Sequence, residues 1–133
     1  AGLEIWYAKN IAAGANTVTV NANGGVLVSN IFEYSGLSKT TPLDQTAFNS
    51  SPSDTAPSAG TVTTTASIEL IFSFIYWNNQ YPGVGSGFVA RDSYVFNQYQ
   101  LVEDKVVSSA GSYSGSFTAN GSGSGEVIMA TFK

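Results

Sequence analysis

The sequence contains no cysteine and no histidine, and each absence excludes a class of functional site. Without cysteine there can be no disulfide bridge and no thiolate metal centre. Without histidine, a Ser-His-Asp or Cys-His catalytic arrangement is excluded, and so is a zinc site built on imidazole. Glycoside hydrolysis stays open, because it needs only a pair of carboxylates.

Charged residues are also scarce, since they make up 11% of the 133 residues and give a net charge of −4. The five basic residues are spread along the chain without a cluster: Lys9, Lys39, Arg91, Lys105 and Lys133. Nucleic-acid phosphates and anionic membranes are bound through basic patches, so we expect neither partner. No apolar run reaches the roughly 20 residues that a membrane-spanning helix needs.

The apolar residues recur with the period of β-strands, and no segment has the period of a helix. The clearest case is 69–77, ELIFSFIYW, where both alternating rows are mostly apolar, as in the middle strand of a sheet. Shorter strand-like segments between turns rich in Gly, Ser and Asn are 4–8, 17–21, 26–34, 102–107, 112–119 and 126–133. A long loop or an edge segment is expected over 37–60, with a short strand at Ala47 and Phe48. We predict one all-β domain over residues 1–133, a jelly-roll-like sandwich of two antiparallel sheets with about nine or ten strands.

An unusual mixture of aromatic and amide side chains follows the central strand, first at 77–81 and again at 94–100. Aromatic rings suit the C–H faces of sugars, and amides can bond sugar hydroxyls as donor and as acceptor. Trp77 is the candidate main stacking platform, because polar residues follow it. The candidate ligand-binding residues are Trp77, Tyr81, Tyr94, Asn78, Asn79, Gln80 and Gln98. The alternative interpretation is that most of the seventeen aromatic residues simply form the core.

Calcium is the one metal that this composition suits, because it prefers hard oxygen ligands. The weak candidates for a structural calcium site are Glu33, Asp44 and Asp54, although no EF-hand spacing is present. The adjacent acids Glu103 and Asp104 would point to opposite faces of a strand and so do not easily share a site. Solvated surface acids are the alternative, and no cofactor is required for the function that we expect.

The acids near the aromatic stretch do not form an obvious catalytic pair. Asp92 stands beside Arg91, where an ion pair or a turn explains it better, and Glu69 opens the central strand, where a solvated edge explains it better. Catalysis by two carboxylates requires that they be tuned as a pair. We therefore expect a binding module and not an enzyme.

Four parts of the chain resemble small β-sandwich domains of secreted bacterial polysaccharide-degrading enzymes. They are NIAAGANTVTV, IFEYSG followed by PLD, VEDKVVSSAGSYSGSF and the closing VIMATFK. More narrowly, the chain resembles a family 81 carbohydrate-binding module. The resemblance implies a jelly-roll-like sandwich that binds β-glucans, including cellulose, cello-oligosaccharides and xyloglucan.

The same resemblance implies a secreted, extracellular protein in which residues 1–133 are linked to a catalytic domain of a longer precursor. The matching segments are mostly turns and core strands, so they carry no binding residue by motif. A structural or adhesive β-sandwich that binds protein is the alternative function.

Overall fold

All regular structure in the described part of the chain is β-structure. The structure, a computed structural model, describes residues 2–50, 55–95 and 98–133. Its seven strands are β1 (Leu43–Asn49), β2 (Ser58–Thr63), β3 (Glu69–Trp77), β4 (Val89–Val95), β5 (Tyr99–Val107), β6 (Ser112–Ser116) and β7 (Gly125–Phe132). No helix in these residues is long and apolar enough to cross a membrane.

The strands form two antiparallel sheets, which confirms the all-β prediction. One sheet has five strands in the order β1-β7-β3-β5-β4, and the other contains β2 and β6. β3 is the central strand, paired with β5 from Glu69 to Trp77 and with β7 from Leu70 to Trp77. The prediction that this apolar segment lies in mid-sheet is therefore confirmed.

The main core lies between the two sheets, and the face of the five-stranded sheet that lines it is called the inner face. Three residues of β3, Ile71, Ile75 and Trp77, are fully buried there. They pack with Phe117, which follows β6, and with Ala59 of β2. Each large apolar side chain buried in this way contributes about 1.5–3 kcal/mol to stability.

The opposite face of the five-stranded sheet is called the outer face. It carries the even-numbered residues of β3, because successive side chains of a strand alternate between faces. Leu70 is buried there in a smaller cluster, whereas Phe72, Phe74 and Tyr76 remain partly exposed. The outer face thus has apolar cover at one end of β3 and is more open at the other.

The prediction of nine or ten strands is wrong for the described residues, because the three strands expected between residues 4 and 34 are absent. This part of the chain covers the outer face with side chains and forms no backbone ladder. Ile5, Tyr34 and Leu37 pack against the small outer cluster, and the ring of Phe32 meets that of Phe72 edge-on at 5.5 Å. An alternating apolar pattern is satisfied by such contacts as well as by strand pairing.

The segment 37–60, which was expected to be a long loop or an edge segment, contains a full edge strand. β1 is seven residues long and pairs with β7, from Leu43 opposite Phe132 to Asn49 opposite Val127. A short strand was expected at Ala47 and Phe48. Its position is confirmed, but β1 is longer than the two residues expected. The register shifts once near its start, which is typical of edge strands.

Candidate functional site

Trp77, the predicted main platform, is buried, and the prediction that it faces a ligand is wrong. None of its surface is exposed, because it shares the inner face with Ile71 and Ile75. Gly123 lies directly against the indole: a Cβ atom at that position would stand 2.5 Å from Cε2 and Nε1. The polar residues that follow Trp77 lie beyond the end of the strand, so they say nothing about the direction of its side chain.

Asn78 and Asn79 hold the loop that covers Trp77. The side-chain nitrogen Nδ2 of Asn78 donates to Ser124 Oγ, and the side-chain oxygen Oδ1 of Asn78 accepts from the Ser124 N–H, both at 2.8 Å. The side-chain amide of Asn79 donates to the carbonyl of Ser122. These asparagines line an open polar depression of about 490 Å³ together with the covering loop. Their hydrogen bonds to the loop give both amides a structural role.

The other two predicted amides lie at different places. Gln80 is exposed on the loop after β3, where its amide group lies beside Gly121. Gln98 is partly buried and directly precedes β5. The structure therefore does not gather the four predicted amides around one ligand position.

The two predicted tyrosine platforms are on opposite sides of the five-stranded sheet. Tyr81 is 47% exposed, and its ring makes an edge contact with Tyr99 at a centroid distance of 6.0 Å. Tyr99 is paired with Trp77 and so belongs to the inner side. Tyr94, 42% exposed, is paired with Gln100 on the outer side. One flat ligand surface cannot include both rings.

The register of the sheet places four side chains in a line across the outer face. Tyr94 of β4 is opposite Gln100 of β5, which is opposite Tyr76 of β3, which is opposite Glu126 of β7. Residues directly opposite each other on antiparallel strands project to the same side. We call these four residues the Tyr76 row. Four strands at a spacing of about 4.8 Å make it about 14 Å long.

Two oxygen atoms in the Tyr76 row lack a hydrogen-bond partner. Gln100 Oε1 and Glu126 Oε2 are shielded from solvent, and neither accepts a hydrogen bond from the described residues. Shielded polar atoms are normally paired, and an unpaired one costs about 1–3 kcal/mol. The two acceptors are on either side of Tyr76. Because both oxygens are buried, a ligand at this ring would instead meet the other polar atoms of the two side chains, the amide nitrogen of Gln100 and the second carboxylate oxygen of Glu126.

The N-terminal segment crosses the outer face as far as Asp92, whose Oδ2 accepts from the side-chain amide of Asn30 at 2.8 Å. The Tyr34 hydroxyl donates to Asp104 Oδ2 at 2.6 Å, and Arg91 Nε donates to the same oxygen at 2.8 Å. Burial and the bond to Asp104 raise the pKa of Tyr34 above its ordinary value. The crossing also contacts Phe72, which is four residues, or about 14 Å along the strand, from Tyr76.

Arg91 therefore pairs with Asp104, and the prediction of an ion pair with its neighbour Asp92 is wrong. Asp92 instead accepts the N–H of Ser93 at 2.7 Å and lies within strand β4, so the predicted turn role is wrong as well. The pairing of β4 with β5 shifts register between Ala90 and Asp92, so Arg91 falls at an irregular position of the edge strand. Sequence adjacency did not reveal this irregularity.

The proposed calcium ligands do not come together. Asp44 receives hydrogen bonds from Lys133 Nζ at 2.9 Å and from the Thr65 N–H at 2.8 Å. Burial acts to raise the pKa of Asp44, but these bonds outweigh it and hold the pKa well below its ordinary value. Glu33 is exposed, and Asp54 is outside the described residues. No group of three or more acidic side chains that could hold a metal occurs among the residues described.

Glu69 is buried, and the expectation of a solvated edge is wrong. It is 1% exposed, and its Oε1 accepts the N–H groups of Thr65 at 3.0 Å and of Ala66 at 2.7 Å. The carboxylate thus closes the turn that leads into β3.

Glu103 is a buried acid that the sequence pattern did not reveal. It is fully buried on the inner face, paired with Ser73, and its Oε2 accepts the Gly85 N–H at 2.8 Å. Burial raises its pKa to about 8, although the bond from Gly85 acts in the opposite direction. A perturbed acid is often a sign of an active site. Because this carboxyl has no exposed surface between the sheets, no substrate can reach it.

Comparison of the chain with known protein families, with curated proteins and with solved structures finds no match. Function is therefore inferred from the residues of the outer face and from the sequence pattern.

Proposed function

We propose that this chain is a non-catalytic module that binds β-glucan chains, among them cellulose, cello-oligosaccharides and xyloglucan, on the Tyr76 row. The rings of Tyr76 and Tyr94 take the C–H faces of pyranose units. The side-chain amide nitrogen of Gln100 donates to sugar hydroxyls, and the second carboxylate oxygen of Glu126 accepts from them. The observation that carries the proposal is the combination, in one line, of two phenol rings with an amide and a carboxylate side chain.

The size of the row sets the expected affinity. Covering about 100 Å² of ring and sugar contributes on the order of 2.5 kcal/mol per platform before ordering costs are subtracted. Two such platforms contribute about 5 kcal/mol at most, which corresponds to a dissociation constant of roughly 0.2 mM or weaker. A row of about 14 Å accommodates a short oligosaccharide segment and not just one sugar.

The wider assignment is to a family 81 carbohydrate-binding module with a jelly-roll-like sandwich, secreted and linked to a glycoside hydrolase. It is supported by the four resembling sequence segments and by the two antiparallel sheets. Tethering to β-glucan would raise the concentration of the linked enzyme at its substrate. Glu126 is the one acid in the row, whereas glycoside hydrolysis needs two, so no release of reducing sugar is expected.

The site can be tested with the two exposed tyrosines, because they are chemically matched and lie on opposite sides. In affinity electrophoresis with soluble β-glucan and in calorimetry with a cello-oligosaccharide, Tyr94→Ala is expected to weaken binding about ten-fold, or 1.4 kcal/mol. Tyr81→Ala should bind like the parent. Melting temperatures of both variants establish that the fold is retained. Parent-like binding by Tyr94→Ala, or loss of binding in Tyr81→Ala, would refute the Tyr76 row as the site.

A structural or adhesive module that binds protein is the second candidate function. Large apolar side chains of the N-terminal segment favour it: Trp6 is 85%, Val26 74% and Ile31 67% exposed. Exposed apolar surface of this kind often marks a protein interface. A panel of soluble polysaccharides separates the two functions, since any ligand specific for the folded form raises its melting temperature. If no polysaccharide does so, the second function is preferred.

A further inference from the structure

The charges around the Tyr76 row are mainly negative. Glu126 is at its β7 end, and Asp92, one same-face position from Tyr94 on β4, is exposed. Asp104 lies further along the same face, where Arg91 neutralises it at 2.8 Å. A ligand on the row would therefore meet Glu126 and Asp92 as the uncompensated charges.

The basic residues with described contacts are engaged elsewhere. Lys105 projects to the inner side, with its Nζ 4.4 Å from the centroid of the Phe88 ring. Lys133 is bound to Asp44 at 2.9 Å, at the far edge of the sheet. Lys9 donates to the carbonyl of Thr40. None of these three cations can serve as counter-ion for an acidic sugar on the row.

We infer that Glu126 makes this surface bind uncharged glucans more tightly than anionic polysaccharides; this inference rests on the proposed function. Its carboxylate, opposite Tyr76, can accept a hydrogen bond from a sugar hydroxyl but not from a ligand carboxylate, which has no hydrogen to donate. The two like charges also repel. Glu126 is thus a determinant of specificity and not merely one more contact.

The size of the effect follows from the spacing within the row. A ligand carboxylate over Tyr76 would be within about 5–7 Å of Glu126. At that distance the repulsion of one like-charge pair lowers affinity roughly three-fold with the dielectric constant of water and roughly a hundred-fold with that of a protein surface, so we expect an intermediate loss of about ten-fold. Because the repulsion is electrostatic, it should weaken at 1 M salt, where the screening length is about 3 Å.

The test compares hydroxyethylcellulose, which is neutral, with carboxymethylcellulose, which is anionic, in affinity gels and calorimetry. The parent protein should bind the anionic polymer about ten-fold more weakly at low salt. Glu126→Gln retains a hydrogen-bond acceptor, so it should still bind the neutral polymer, and the difference in affinity between the two polymers should be smaller than in the parent. Glu4→Gln is the matched control, since it removes one charge at an exposed position whose carboxylate bonds Trp6. Glu4→Gln should show the same difference in affinity between the two polymers as the parent.

The outcomes separate the inference from the function on which it rests. The inference is overturned, and β-glucan binding is not, if the parent binds the two polymers equally well. The same holds if Glu126→Gln shows the same difference in affinity between the polymers as the parent. The inference is also overturned if Glu4→Gln reduces the difference in affinity as much as Glu126→Gln does, because the net charge of the protein would then be the cause. Failure of the parent to bind the neutral polymer overturns the proposed function itself.

Discussion

Replacing the buried acid Glu103 with glutamine tests the inner face of the sheet through the pH dependence of stability. The folded-state pKa of Glu103 is about 8, against an ordinary value of 4.5. Between these values the unfolded chain has released the proton while the folded protein retains it. Unfolding therefore releases a proton in this window, and the free energy of unfolding falls as pH rises from about 4.5 to about 8.

The magnitude follows from the width of that window. One pH unit corresponds to about 1.4 kcal/mol, so ionisation of the unfolded chain costs the fold on the order of 3 kcal/mol by pH 7. This is an upper limit, because relaxation around the carboxylate reduces the penalty. In Glu103→Gln the amide oxygen can still accept the Gly85 N–H, and nothing titrates. The unpaired environment of Oε1 adds a constant cost of about 1–3 kcal/mol at every pH.

Urea denaturation at pH 5, 7 and 9 measures the difference directly. The variant should gain stability relative to the parent as pH rises, by a few kcal/mol between pH 5 and pH 9. Groups elsewhere titrate equally in both proteins, so the difference isolates position 103. Glu33→Gln, at an exposed position, should show the parental pH dependence. Parallel curves for the parent and Glu103→Gln would show that the carboxyl is not held in its buried, protonated state.

Two further substitutions test local packing and charge. Gly123→Ala brings a methyl group to 2.5 Å from the Trp77 indole and should cost about 1–3 kcal/mol in thermal or urea unfolding, whereas Gly2→Ala, which meets nothing within 4 Å, should be neutral. Asp44→Asn loses its charged bond to Lys133 and should cost about 1–3 kcal/mol at pH 7. Because the pKa of Asp44 is lowered in the folded protein, the extra stability of the parent over Asp44→Asn should decrease as the pH falls below 3.8. If the difference in unfolding free energy between the two proteins stays constant there, Asp44 is not held as a carboxylate by these bonds.

The sequence predicts the sheet-forming parts of the chain best where apolar residues alternate over a long segment. The central strand at 69–77 and the strands at 102–107 and 126–133 were expected at positions where they occur, with ends differing by up to a few residues. The N-terminal segments failed for a physical reason. Alternation reports that side chains need an apolar surface, but it does not report whether the backbone pairs with a neighbouring strand. In this fold, Ile5 and Tyr34 find that surface without a ladder.

The candidate site depended on a question that the alternation of β3 leaves open, because both of its faces carry large apolar residues. Packing decides which row is inside: β2 and β6, distant in sequence, cover the row that contains Trp77. Gly123 fits against the buried indole because it has no side chain, but in the sequence it is one of three glycines in the turn NGSGSG, and its position there does not reveal the contact. Once Trp77 is inside, the period of two requires Tyr76 to be outside. A ring-lined surface on this strand must then lie one residue earlier, on the opposite face of the sheet.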